Sequence, residues 1–150
     1  MANSTQYAKT LATPSVKLVT TELTGKIRIA YADFTFASTA VGSVNMFKIP
    51  NNARLISGRV YGAGIGTSVT LSVGFAAHNT SAGVAVAVNT AKYFALAAAN
   101  GVVDSDILAT VALGENSLVD TDSDGLIVTA TTAAAAATGL ISVKMLYAFD

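Results

Sequence analysis

Ser68-Val69-Thr70-Leu71-Ser72-Val73-Gly74-Phe75 alternates without a break: Val69, Leu71, Val73 and Phe75 fall on one side, Ser68, Thr70, Ser72 and Gly74 on the other. Successive side chains of an extended chain point to opposite faces, so this spacing predicts a half-buried antiparallel strand. The period of two recurs outward from it. Upstream, residues 44–49 and 54–61 are strand candidates separated by Pro50-Asn51-Asn52, a turn signal in which proline fixes φ and asparagine tolerates left-handed backbone. Ile27, Ile29 and Tyr31 alternate with Lys26, Arg28 and Ala30, while Phe34 and Phe36 take the opposite parity, which predicts a bulge near Ala32-Asp33. Downstream, residues 84–88, 107–113, 125–131 and 139–147 read as strands. Residues 90–99 are rich in helix formers and run into Asn100-Gly101, a helix stop signal, which predicts one short helix. Short strands of small residues, punctuated by turns, predict an all-β fold: an antiparallel β-sandwich or jelly roll with an extended N-terminal arm and at most one short helix.

The arm is residues 1–25, and residues 26–150 form the sandwich domain. The arm is rich in threonine and serine, is interrupted by Pro14 and holds neither period for long. Tyr7, Leu11, Val16, Leu18 and Val19 are too many apolar residues for a free linker, so the arm is expected to lie on a surface. Tyr7, Leu11, Val16 and Leu18, with their basic neighbours Lys9 and Lys17, are the candidate partner contacts.

Composition narrows the function. Hydrophobic residues make up 52% of the 150 residues and charged residues 12%, about half the charge of an ordinary soluble domain. A membrane span needs about 20 consecutive apolar residues. The richest runs here, residues 95–99 and 133–137, are short and mostly alanine. The expectation is a fold whose surface is largely covered by partners. Charge is uneven: residues 1–60 carry seven basic side chains against Glu22 and Asp33, and residues 61–150 carry Lys92 and Lys144 against seven acids. Overall neutrality and few aromatics argue against nucleic acid. There is no basic region followed by an apolar stretch at the start, so no secretory leader is expected. With no cysteine and only His78, thiolate metal sites are excluded and most nucleophile–histidine arrangements lack their parts, so no catalytic residues and no enzyme activity are expected.

Three local patterns could carry chemistry. Gly62-Ala63-Gly64-Ile65-Gly66 is glycine-rich, but its spacing is wrong for a dinucleotide loop and a strand follows it, so it reads as a hairpin loop. Asp120-Thr121-Asp122-Ser123-Asp124-Gly125 matches the opening of a calcium loop, which makes Asp120, Asp122 and Asp124 the candidate metal ligands and calcium the one candidate cofactor. Against it, the twelfth position is Thr131, where such a loop needs a bidentate glutamate; a solvated acidic turn is the plainer reading. His78 would need a carboxylate or nucleophile beside it to act, and Asp104 with Asp106 reads first as a polar loop.

Met1-Ala2-Asn3-Ser4-Thr5-Gln6-Tyr7-Ala8-Lys9-Thr10-Leu11-Ala12-Thr13-Pro14-Ser15, Gly25-Lys26-Ile27-Arg28-Ile29-Ala30-Tyr31-Ala32-Asp33 and Ala53-Arg54-Leu55-Ile56-Ser57-Gly58-Arg59-Val60, with Thr70–Phe75 behind them, resemble small virion proteins of tailed phages. The resemblance implies a capsid decoration (cement) protein: a β-sandwich or jelly roll that forms a homo-oligomer, a trimer, on the outer capsid lattice at the virion surface and grips the major capsid protein with an arm. It brings no catalytic residue with it. The other readings are a tail or fibre subunit, and a calcium-dependent carbohydrate- or ligand-binding sandwich built on the three aspartates.

Overall fold

The computed structural model describes residues 26–95, 102–108 and 118–149. Among the described residues ten strands follow in order: β1 Lys26–Thr39, β2 Gly42–Ile49, β3 Arg54–Ala63, β4 Thr70–Phe75, β5 His78–Asn79, β6 Ala85–Val86, β7 Asn89–Ala95, β8 Val103–Asp106, β9 Leu126–Ala133 and β10 Ala137–Phe149. Eight of them build two four-stranded antiparallel sheets, β1-β10-β3-β8 and β2-β9-β4-β7, and β5 pairs with β6 as a separate small hairpin. Apart from the β4–β7 link, which carries that hairpin, each connection between these eight strands passes from one sheet to the other. This is the double-sheet winding of a jelly roll.

Alternation explains why the sheets stack. Val60 of β3 and Ile141, Val143 and Met145 of β10 are fully buried, and face Ile49, Leu71, Val73 and Val128 of the other sheet. Burying each such side chain contributes about 1.5–3 kcal/mol relative to leaving it in water. The strand read from Ser68 begins at Thr70, Ser68 lying in a turn at φ +63°, and the inner side is as expected: Val69, Leu71 and Val73 are buried and Phe75 half-buried.

Four expectations change. Residues 89–95 form a strand, not the start of a helix: Val73 pairs with Phe94 and Ser72 with Ala95, so the ladder with β4 overrides the local preference for helix. Residues 96–99 of that segment lie outside the described residues. The bulge near Ala32-Asp33 is absent, since β1 pairs with β10 in one register from Lys26↔Phe149 to Phe36↔Gly139, and the shift comes between Phe36 and Thr39. Ala30, Ala32, Phe34 and Phe36 face inward, and Ile27, Ile29 and Tyr31 face out. The glycine-rich loop is not a hairpin; it carries the chain from β3 in one sheet to β4 in the other, with Ile65 buried in the core. Finally, Ile107 and Leu108 are buried beyond the end of β8, and residues 109–113 of the expected strand lie outside the described residues.

Tyr93 of β7 is buried beside Phe75, ring centroids 6.1 Å apart, and burial pushes its phenol well above the usual value near 10. A raised folded-state pKa gives stability that is complete below the unfolded-state pKa and is lost as pH rises beyond it. Thermal melts should therefore show a loss of about 1.4 kcal/mol on going to pH 11, one unit above the unfolded-state value. Tyr93→Phe should flatten that alkaline limb; a limb equally steep in the variant would show that Tyr93 does not cause it.

Candidate functional site

Register places several chain segments at one end of the sandwich. Lys26 opens β1 opposite Phe149, Arg54 opens β3 opposite Ala148, and the turn Pro50–Ala53 lies beside them. The β5–β6 hairpin and residues 118–125 join this end through backbone bonds. Asn52 N–H donates to Val119 O at 2.8 Å, Val119 N–H to Ala53 O at 2.8 Å and Asp122 N–H to Asn79 O at 2.9 Å.

The acidic turn is part of that network. The Asp120 carboxylate accepts the Ser81 N–H at 2.9 Å, and hydrogen bonds from Ser81 hold its pKa below the usual carboxylate value. Asp122 Oδ1 accepts the Asp124 N–H at 3.0 Å, an Asx-type turn. Gly125 closes it at φ +78°, its N–H donating to Asp122 O at 3.3 Å; a Cβ there would lie 2.9 Å from Ile49 O. Turn geometry accounts for the glycine that sequence matched to the sixth calcium-loop position. Among the described residues, no group of three His, Cys, Asp or Glu side chains is placed to share a metal ion. His78 is half-buried; its Nδ1 lies 3.2 Å from Ala76 O and its ring meets Phe75 edge-on at 5.2 Å. The arm contacts Tyr7, Lys9, Leu11, Val16, Lys17 and Leu18 lie outside the described residues.

The hairpin at this end presents apolar side chains beside the exposed Asp120 and Asp124 of the acidic turn. Val84 is 61% exposed, Val88 57% and Ile27 64%, with Leu118 exposed alongside. Residues 76–91 contain no Asp, Glu, Lys or Arg. The hairpin is nonetheless held firmly: Thr80 N–H donates to Val84 O at 2.8 Å, Val84 N–H to Thr80 Oγ1 at 3.0 Å, and Ser81 to Asp120 as above. A preorganised apolar projection loses little entropy on docking. Sequence reading missed this feature, although the charge-free run was there to be seen.

A second surface is the outer face of the β1-β10-β3-β8 sheet. Across its strands, Tyr31, Lys144, Arg59 and Asp106 form one row, and Asp33, Ser142, Tyr61 and Asp104 the next. Arg59 Nε and Nη2 donate to the two oxygens of Asp104 at 2.5 and 2.8 Å, and Ser142 Oγ donates to Asp33. The paired hydrogen bonds hold Asp104 below its ordinary pKa and raise that of Arg59. Arg59, Tyr61, Asp104, Ser142 and Lys144 line a shallow depression of about 330 Å³. Asp104 and Asp106 thus sit on a strand facing out, and not in a loop.

No protein-family model matches the chain, and no curated protein matches it in sequence. Among solved structures it is similar to a chain of the cyanophage Pam1 capsid asymmetric unit, at 16% identity and a TM-score of 0.54, over 84% of this chain and 86% of that one. A chain of the capsid of Ralstonia phage GP4 aligns at 17% identity and a TM-score of 0.54, over 84% and 86%. A chain of the acidic stable capsid of Helicobacter pylori bacteriophage KHP30 aligns at 16% and 0.50, over 82% and 87%. At these identities the likeness is one of fold.

Proposed function

We propose that this protein is a virion structural subunit of a tailed phage: a capsid decoration protein that binds the major capsid protein on the outer lattice, as a trimer, and stabilises the shell without catalysing a reaction. The observation that carries this reading is the arm-bearing end. There a charge-free hairpin with exposed Val84 and Val88, together with exposed Leu118 and Ile27, lies at the same end of the sandwich as Lys26, where residues 1–25 join β1. Exposed apolar patches of this kind mark docking sites. The shared jelly roll with phage capsid chains and the sparse charge support it. In this reading the arm reaches onto the lattice through Tyr7, Leu11, Val16 and Leu18, with Lys9 and Lys17 meeting acidic groups, and the hairpin seats beside it.

Native mass spectrometry of the purified chain, alone and with shells assembled from the major capsid protein of its own virus, tests this. A species of three chains that saturates a fixed number of shell sites is expected; a stable monomer that leaves the shells bare would reject the proposal.

A further inference from the structure

Beyond Ile27 and Ile29, the outer face of the β1-β10-β3-β8 sheet turns polar at Tyr31, and this polar part is separate from the proposed docking contacts. Two tyrosines stand out of it: Tyr31 is 69% exposed and Tyr61 41%. They lie two strands and one residue pair apart, on the order of 12 Å given strand spacing and rise, which is the span of a short oligosaccharide. Between them, Lys144 sits directly opposite Tyr31, and Ser142 directly opposite Tyr61. Among the described residues Lys144 has no carboxylate within salt-bridge distance. Arg59 and Asp104 complete the depression.

Donors and acceptors alternate across this face. Lys144, the remaining Arg59 N–H groups and the tyrosine hydroxyls donate; the remaining lone pairs of Asp33, Asp104 and Asp106 accept, as does Ser142 Oγ, whose proton goes to Asp33. The two cations and three anions nearly cancel. An anionic ligand such as nucleic acid would meet three carboxylates, and a cationic one would meet Lys144 and Arg59. A neutral polyhydroxylated chain satisfies both sets, because each hydroxyl donates and accepts. Exposed phenol rings, with an apolar body and a polar tip, suit the C–H faces of sugar rings. The depression is open and at the small end of ligand sites, as expected for a polymer lying across a sheet. The Arg59–Asp104 bidentate pair and the Ser142–Asp33 bond fix these side chains before any ligand arrives.

From this juxtaposition we infer that the face carrying Tyr31, Lys144, Ser142, Tyr61 and the Arg59–Asp104 pair is a binding site for a neutral polysaccharide, with Tyr31 and Tyr61 as stacking platforms and Lys144 and Ser142 as hydroxyl partners. The inference stands independently of the capsid proposal. Calorimetric titration of the full chain with neutral oligosaccharides (linear glucans, mannans and galactans) and their sulfated counterparts tests it. Binding of a neutral member, no tighter for its sulfated form, is expected. Tyr31→Ala and Tyr61→Ala should each weaken that binding at least about tenfold, Tyr31→Phe and Tyr61→Phe should retain it, and the melting temperature should stay unchanged throughout. Absence of binding across the neutral panel, or binding that survives the double alanine variant, would overturn the inference.

Discussion

Replacing Gly74 with alanine is expected to lower the melting temperature by roughly 6–12 °C. Gly74 lies in β4, between Val73, which pairs with Phe94, and Phe75, which pairs with Asn89. The β4–β7 register shifts across it, and the β7 backbone closes over the space a side chain would need. A Cβ at Gly74 would fall 1.9 Å from Asn89 O and 2.5 Å from the Thr90 carbonyl carbon. Those are backbone atoms, so no rotamer change relieves the clash and β7 must move. Overpacking costs about 1–3 kcal/mol and a clash with backbone this short falls at the upper end, about 3 kcal/mol, and each kcal/mol shifts the melting point by about 2–4 °C in a chain of this size. Ser72→Ala, two residues earlier on the same outer side, should shift it by no more than about 2 °C. Equal melting points for Gly74→Ala and the parent would mean that β7 does not pack over β4 as described.

The double substitution Val84→Asp with Val88→Asp is expected to reduce capsid occupancy about a hundredfold while leaving the melting temperature within about 2 °C. Both valines are exposed, so the folded chain gains only solvated charges, and surface changes of this sort stay within about 0.5 kcal/mol. In a docked state the same carboxylates would be desolvated against an apolar partner without counter-charges, which costs several kcal/mol. A hundredfold loss corresponds to about 2.7 kcal/mol. Co-sedimentation with shells over a concentration series reads the effect; parent-like occupancy would remove the hairpin from the contact.

Much of the sandwich was legible because most strands bury one face only. Leu71 and Val73 flank half-exposed Ser72, and Ile141, Val143 and Met145 alternate with half-exposed or exposed neighbours, so a period of two locates the strand and its inner side together. β1 misled for the opposite reason. It carries apolar residues on both faces, Ile27, Ile29 and Tyr31 outward and Phe34 and Phe36 inward, and a change in which face is apolar imitates a bulge. β7 misled because alanine, lysine and tyrosine satisfy a helix locally, and only pairing with a strand distant in sequence decides otherwise. The outer-face cluster could not be read at all. Arg59 meets Asp104 across 45 positions and Ser142 meets Asp33 across 109, contacts that exist only through the register of β1, β10, β3 and β8. The acidic turn was visible as a motif, yet its hydrogen bonds to Ser81 and within the turn depend on where the β5–β6 hairpin lies.

Removing residues 1–25 tests docking through the Lys26 end of the sandwich most directly. The truncated chain and the full chain, each mixed with shells assembled from the major capsid protein, should melt at the same temperature and differ in occupancy: the full chain saturating its sites, the truncated chain leaving them empty. Equal occupancy of the two would contradict docking through that end.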